Sequence, residues 1–140
     1  MTAMPPRFAV SRAQIDAMVA AFYADIRKHP VLGAIFNERI GTQAEKWRAH
    51  EERIARFWRN AILHERNYDG RPQQVHMATP SVMPEHFALW LDQFEQTANR
   101  VLPADVAVPW VALARRIGAG MKMGVAQARQ PPGTAPRLDR

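Results

Sequence analysis

An all-α fold is predicted by three features of this 140-residue chain. Apolar residues recur at intervals of three and four over several long stretches, which is the period of one helical face. No run alternates apolar and polar residues with period two over the length of a strand. Prolines and glycine-containing turns punctuate the periodic stretches. The length suits one domain with a single core, placed at residues 11–128, between a flexible arm at 1–10 and a disordered, proline-rich tail at 129–140.

Pro5-Pro6 prevents an early helix, and Ser11 with Gln14 forms a capping box. Behind it Ile15, Met18, Val19, Phe22, Tyr23 and Ile26 share one face of a first helix, which Pro30 stops near His29. Residues 31–41 read as a compact connection anchored by Phe36, with Ile40 near its end. Thr42 and Glu45 make a second capping box for a helix running to Leu63 or His64. Trp47, His50, Ile54, Phe57, Trp58 and Ala61 lie on its apolar face, with Arg48, Glu52, Arg56 and Arg59 opposite. Asn67-Tyr68-Asp69-Gly70 breaks it in turn chemistry.

A short element of about two turns follows between Pro72, suited to a first helical position, and Pro80, which ends it. His76 sits there between Val75 and Met77. Pro84 starts the next helix, whose stripe is Phe87, Trp90, Leu91, Phe94, Ala98 and Val101, and Pro103 closes it. The last helix begins between Ala104 and Pro109 and carries Trp110, Leu113, Ile117, Met121 and Val125. Its glycines at 118, 120 and 124 weaken it by roughly 1 kcal/mol each relative to alanine, which suits a close helix contact.

Composition excludes much. Zero cysteines rule out disulfides, thiolate metal sites and a cysteine nucleophile, and accord with a cytoplasmic protein. Arg7 is not followed by the apolar run of a secretory signal, and no stretch reaches the roughly 18 apolar residues of a membrane helix. The net charge of +6 reads as a solvated basic surface, because 13 acidic residues are spread among 19 basic ones. The five histidines form no His-Glu-x-x-His pair, and neither a phosphate-binding glycine loop nor a nucleophile elbow is present.

Haem chemistry needs an axial imidazole, a flat apolar slot, donors on the opposite side and cations for two propionates. His76 is the axial candidate. Tyr23, whose hydroxyl needs a partner if buried, and Trp90, whose only polar group is a donor N–H, are the distal candidates. His50 faces the buried side, where it lines the ligand pocket, gates it or binds iron itself. Lys46 and Arg53 flank the apolar face and are the cations within reach of propionates.

These residues resemble a known family. Phe22-Tyr23, Arg27 with His29-Pro30, Leu32-Gly33-x-x-Phe36-Asn37, Ile40-Gly41-Thr42, Trp47-x-x-His50-x-x-x-Ile54-x-x-Phe57-Trp58, Tyr68-x-Gly70-x-Pro72-x-x-x-His76 and Phe87-x-x-Trp90-Leu91-x-x-Phe94 stand in the order of the truncated haemoglobins. The chain is similar to their third group, and the glycine pairs of the other two groups are absent. The likeness spans roughly residues 15 to 125. It implies a shortened globin, two helices over two, enclosing haem b. By matching position His76 becomes the proximal iron ligand, Tyr23 and Trp90 the distal donors, and His50 the residue at the distal entrance. The ring would be lined by Phe36, Ile40, Trp47, Ile54, Phe57, Met77, Met83 and Phe87, with Lys46 and Arg53 toward its edge.

The expectation is therefore a cytoplasmic haem protein that binds O2, CO and NO, of the oxygen-binding or transport type, served by an unidentified reductase. The alternative within the same fold is a redox enzyme, an NO dioxygenase or a peroxidase-like catalyst. A haem-free nucleic-acid-binding domain would use the Arg48/Arg56/Arg59 face but leaves Tyr23, His50 and Trp90 without a role. Neither a nucleic-acid nor a membrane partner is expected.

Overall fold

The computed structural model of the chain describes residues 7–65 and 83–129. Among them every regular element is helical, as expected: α1 (Arg12–Lys28), α2 (Leu32–Ile40), α3 (Ala44–Trp58), α4 (His86–Val101) and α5 (Ala104–Ala128), with a π-helical turn (Arg59–Leu63) continuing α3. The α1/α3 pair lies over the α4/α5 pair, joined where α1 crosses α4, and α2 packs beside α1.

The box at the start of α1 forms as the sequence predicts. Ser11 Oγ accepts the Gln14 N–H at 3.0 Å, and Gln14 Oε1 accepts the Ser11 N–H at 2.9 Å. The second predicted box does not form. Helix α3 begins at Ala44, its N-cap is Gln43, and no side chain caps it, so Thr42 lies one residue too early to reach the first free amides.

Residues 31–41 also depart from expectation, because most of them are helical. The imidazole of His29 explains how α2 starts without a capping side chain of its own: His29 Nδ1 accepts the N–H groups of both Val31 and Leu32 at 3.1 Å. Gly41, at φ 100°, ends α2 in a conformation that favours glycine.

The predicted end of the third helix at Leu63 or His64 matches the end of the π-helical turn, after which His64 adopts left-handed φ/ψ of 60° and 39°. Of the expected N-terminal arm, the described residues are tied to this turn. The Arg7 backbone N–H donates to Ile62 O at 3.0 Å, and Arg7 Nε donates to Ala61 O at 2.9 Å. Arg59, assigned from sequence to the outer face, is only 7% exposed. Its guanidinium pairs with Asp16 of α1 at 3.0 Å and with Glu65 at 3.5 Å, while its backbone N–H still bonds the Ala55 carbonyl in α-helical register. Residues 130–140 of the tail lie outside the described residues.

Pro84 stands two residues before α4 rather than opening it, and its carbonyl accepts the Phe87 N–H at 3.2 Å. Pro103 caps α5, which runs through Pro109. Phe94, 1% exposed, joins the layers. Its ring centroid lies 5.3 Å from Phe22 on α1, 5.7 Å from Trp58 on α3, 5.8 Å from Trp110 on α5 and 5.4 Å from Trp90 one turn back. Among the described residues no helix is long and apolar enough to cross a membrane.

The glycines divide by what surrounds them. A Cβ on Gly33 would meet the Arg27 carbonyl oxygen at 2.8 Å, and one on Gly118 would meet Leu91 Cδ1 at 3.0 Å, whereas one on Gly120 meets nothing within 4 Å. Gly33→Ala should therefore destabilise the fold by about 1–3 kcal/mol through backbone displacement. Gly120→Ala should stabilise it by about 0.5–1 kcal/mol through helix propensity. Urea denaturation of the two variants checks both; equal effects would contradict the packing described.

Candidate functional site

Four helices send side chains to one buried phenol. Tyr23, near the end of α1, is 2% exposed. The His50 ring from α3 stands edge-on to it at 4.8 Å with an interplanar angle of 87°. Phe36 from α2 lies at 5.9 Å and Trp47 from α3 at 6.2 Å. Phe22 is edge-on to both Tyr23 and Trp90, at 5.0 Å in each case. Trp90 reaches across from α4 to Phe22, with its indole N–H close enough to act on the Tyr23 hydroxyl.

These surroundings define the chemistry of the site. Burial pushes the Tyr23 pKa far above its ordinary value; the Trp90 N–H opposes the shift, and the nearby Glu51 carboxylate adds to it. The phenol stays protonated, so its own O–H remains a donor. Among the described residues no acceptor takes that proton. The arrangement therefore presents a buried donor, in surroundings where low dielectric strengthens any hydrogen bond made.

An apolar wall continues from this point. Phe36 and Ile40 on α2, Ile54 and Phe57 on α3, and Trp90 and Leu91 on α4 pack against the core while remaining only partly buried. Phe87, one turn before Trp90, is 7% exposed. Met83 is half-buried, and its backbone is fixed because its N–H donates to His86 Nδ1 at 2.9 Å while its carbonyl accepts the His86 N–H at 3.0 Å. Trp47, 1% exposed, is anchored by its indole N–H on the Gly41 carbonyl at 2.8 Å, beneath the Arg27 guanidinium.

The fold thus gathers Tyr23, His50, Trp90, Phe36 and Trp47. Lys46 and Arg53 are exposed on α3. His76 and Met77 lie outside the described residues. Two neighbours of the site had no role in the sequence reading. Arg27 stands four residues after Tyr23, close to the same helical face, and Glu51 follows His50 directly. Their pairing across α1 and α3, Nη2 to Oε2 at 3.3 Å, depends on a crossing that one sequence does not display.

A buried donor pair facing an aromatic wall, on a frame of two helices over two, defines a globin-type ligand pocket. No family model matches the chain. It is 37% identical over 92 residues to the group 3 truncated haemoglobin ctb of Campylobacter jejuni, spanning 66% of this chain and 72% of that protein. The crystal structure of the group III truncated haemoglobin from Campylobacter jejuni superposes with a TM-score of 0.78 at 31% identity, covering 85% of this chain and 93% of that one. The chain belongs to the group III truncated haemoglobins and is a globin-type haem protein.

The residues present fit that group. The buried Tyr23 hydroxyl, which has no acceptor among the described residues, would be free to donate to a ligand on haem, and the partly buried apolar side chains would pack against a porphyrin.

Glu51 adds a pH dependence. Burial raises its pKa more than Arg27 and Arg48 lower it. The folded protein therefore holds the Glu51 proton more tightly than the unfolded chain does. The associated stability is complete at low pH and is lost as pH rises through the raised value. Glu51→Gln should equal or exceed the parent in stability near neutral pH, with the difference shrinking toward about pH 4. Denaturant titrations across that range check this; a difference independent of pH would contradict it.

Proposed function

We propose that the chain is a b-type haem protein that binds O2 reversibly, and also CO and NO, at an iron held by His76, with Tyr23 and Trp90 as donors on the opposite side. The single observation that carries this reading is the buried Tyr23 hydroxyl, which has no acceptor among the described residues and keeps its own proton to give. Ferrous haem, when bound, supplies the open coordination position; the side chains supply orientation, polarity and the exclusion of water. Phe36, Ile40, Trp47, Ile54, Phe57, Met77, Met83 and Phe87 line the ring, Lys46 and Arg53 reach toward its propionates from exposed positions, and His50 stands at the distal side. A cytoplasmic setting and a reductase that keeps the iron ferrous complete the proposal.

The donors discriminate between ligands by polarity. O2 is the more polar ligand of the two, so donors such as the Tyr23 O–H and the Trp90 N–H would hold it more strongly than CO. Tyr23→Phe should speed O2 dissociation by about tenfold or more, the worth of one well-formed hydrogen bond in this setting, while CO dissociation changes much less. Stopped-flow ligand replacement measures both rates, and equal effects on the two ligands would remove the assigned role.

The proximal assignment is tested by absorption spectra of the ferric, ferrous and CO forms beside His76→Ala. An intense Soret band that shifts with CO and is lost or altered in the variant is expected. An unchanged variant spectrum would place the iron ligand elsewhere. Repeated turnover of nitric oxide or peroxide with a reductant would instead favour the redox enzyme; oxidation that stops after one cycle favours ligand binding.

A further inference from the structure

Arg27 occupies the last turn of α1, and its stem is fixed. The Gly33 backbone packs against it so closely that a Cβ there would lie 2.8 Å from the Arg27 carbonyl oxygen. Two residues on, His29 closes the α1–α2 turn by accepting two backbone N–H groups. From this stem the guanidinium reaches two separate groups on α3. Its Cζ lies 4.4 Å from the centroid of the Trp47 ring, and its Nη2 donates to Glu51 Oε2 at 3.3 Å.

Trp47 and Glu51 are four residues apart, one turn of α3, and His50 lies between them. The His50 ring is 6.2 Å from Trp47 and 4.8 Å from Tyr23. Trp47 is held from its other edge by the Gly41 carbonyl. We infer that Arg27 is a positioning residue: it clamps the α3 turn from Trp47 to Glu51 against α1 and so controls ligand access past His50. The inference rests on the distal role proposed for His50.

The chemistry of the clamp is specific to arginine. An exposed ion pair by itself holds little, but here one planar group stacks on a buried indole and pairs with a carboxylate only 21% exposed. Moving His50 away from Tyr23 by displacing this turn would break the stack and the ion pair together. Lysine keeps the charge, yet it lacks the flat face that covers the Trp47 ring while a second nitrogen reaches Glu51.

The test uses the haem-loaded ferrous protein. Arg27→Met keeps an unbranched apolar stem without the charge or the planar head, and Arg27→Lys keeps the charge. CO association after flash photolysis reports access, and hydrogen exchange of the Trp47 indole N–H, followed by NMR in the diamagnetic CO form, reports the clamp itself. Arg27→Met should speed CO association about three- to tenfold, the scale set by one cation–π stack and one partly buried ion pair, and accelerate indole exchange. Arg27→Lys should fall between it and the parent. In a His50→Ala background Arg27→Met should produce no further change in association.

Faster exchange with unchanged CO association would overturn the inference, as would an equal effect of Arg27→Met with and without His50. If His50→Ala alone leaves association unaltered, the proposed role of His50 falls and control of access falls with it; indole exchange still decides whether Arg27 holds the turn. Should Arg27→Met fail to fold, Glu51→Ala removes the ion pair while leaving the stack on Trp47, and carries the same expectations at smaller size.

Discussion

The crossing of α1 over α4, locked by Phe94, is the constraint on which the remaining architecture depends. One ring meets aromatic partners from α1, α3 and α5 and a fourth from its own helix, all with centroids within 5.8 Å. Edge-on and stacked geometries of this kind contribute beyond the area they bury and tolerate little rotation. With Phe94 fixed, the position of Trp90 one turn earlier is fixed as well, and Phe22 is caught between the two rings. Trp90 and Tyr23 are therefore brought to the same Phe22 ring by core packing.

A polar counterpart secures the far end of the same crossing. Thr97, fully buried, donates its hydroxyl to Asp25 Oδ2 at 2.7 Å, and Arg100 Nη2 donates to the same oxygen at 2.9 Å. Gln93 in turn donates to Thr97 Oγ1 at 3.1 Å. This chain satisfies a buried hydroxyl that would otherwise cost stability, and it sits two helical turns from Trp90 along α4. Arg115 on α5 pairs with Glu95 and Asp92 of α4, which ties the lower layer together. Ion pairs also join α1 to α3 and to the π-helical turn.

Four of the five helices were legible in sequence because their apolar residues keep a strict helical period over three or more turns. Helix α2 was hidden: it spans nine residues, lacks a capping residue at its N-cap, and borrows the His29 imidazole instead. The Thr42/Glu45 box matched a motif but not a helix start, since a pattern of residue types does not fix where the backbone turns. In the site, Tyr23, His50, Trp47, Phe36 and Trp90 could be nominated from residue chemistry and family likeness. Arg27 could not be given a role, because its two partners belong to another helix and come together only through tertiary packing. The burial of Arg59 had no sequence signal either, since its partners Asp16 and Glu65 reach it only through tertiary packing, and the π-helical turn that starts there is a departure from α-helical period that composition does not announce.

That departure also shapes how this chain can change. A π-helical turn holds one more residue than the α-helical turn it replaces, and one residue corresponds to about 100° of helical rotation. The turn at Arg59–Leu63 thus ends the helix in a wider coil, closed by the left-handed His64. Upstream, the frame that presents Trp47, His50 and Ile54 is held by α1 and α2. Within the turn, Arg7 takes up the carbonyls of Ala61 and Ile62 and fixes the exit. A one-residue change of length in this last turn would therefore leave the phase of the distal wall unaltered.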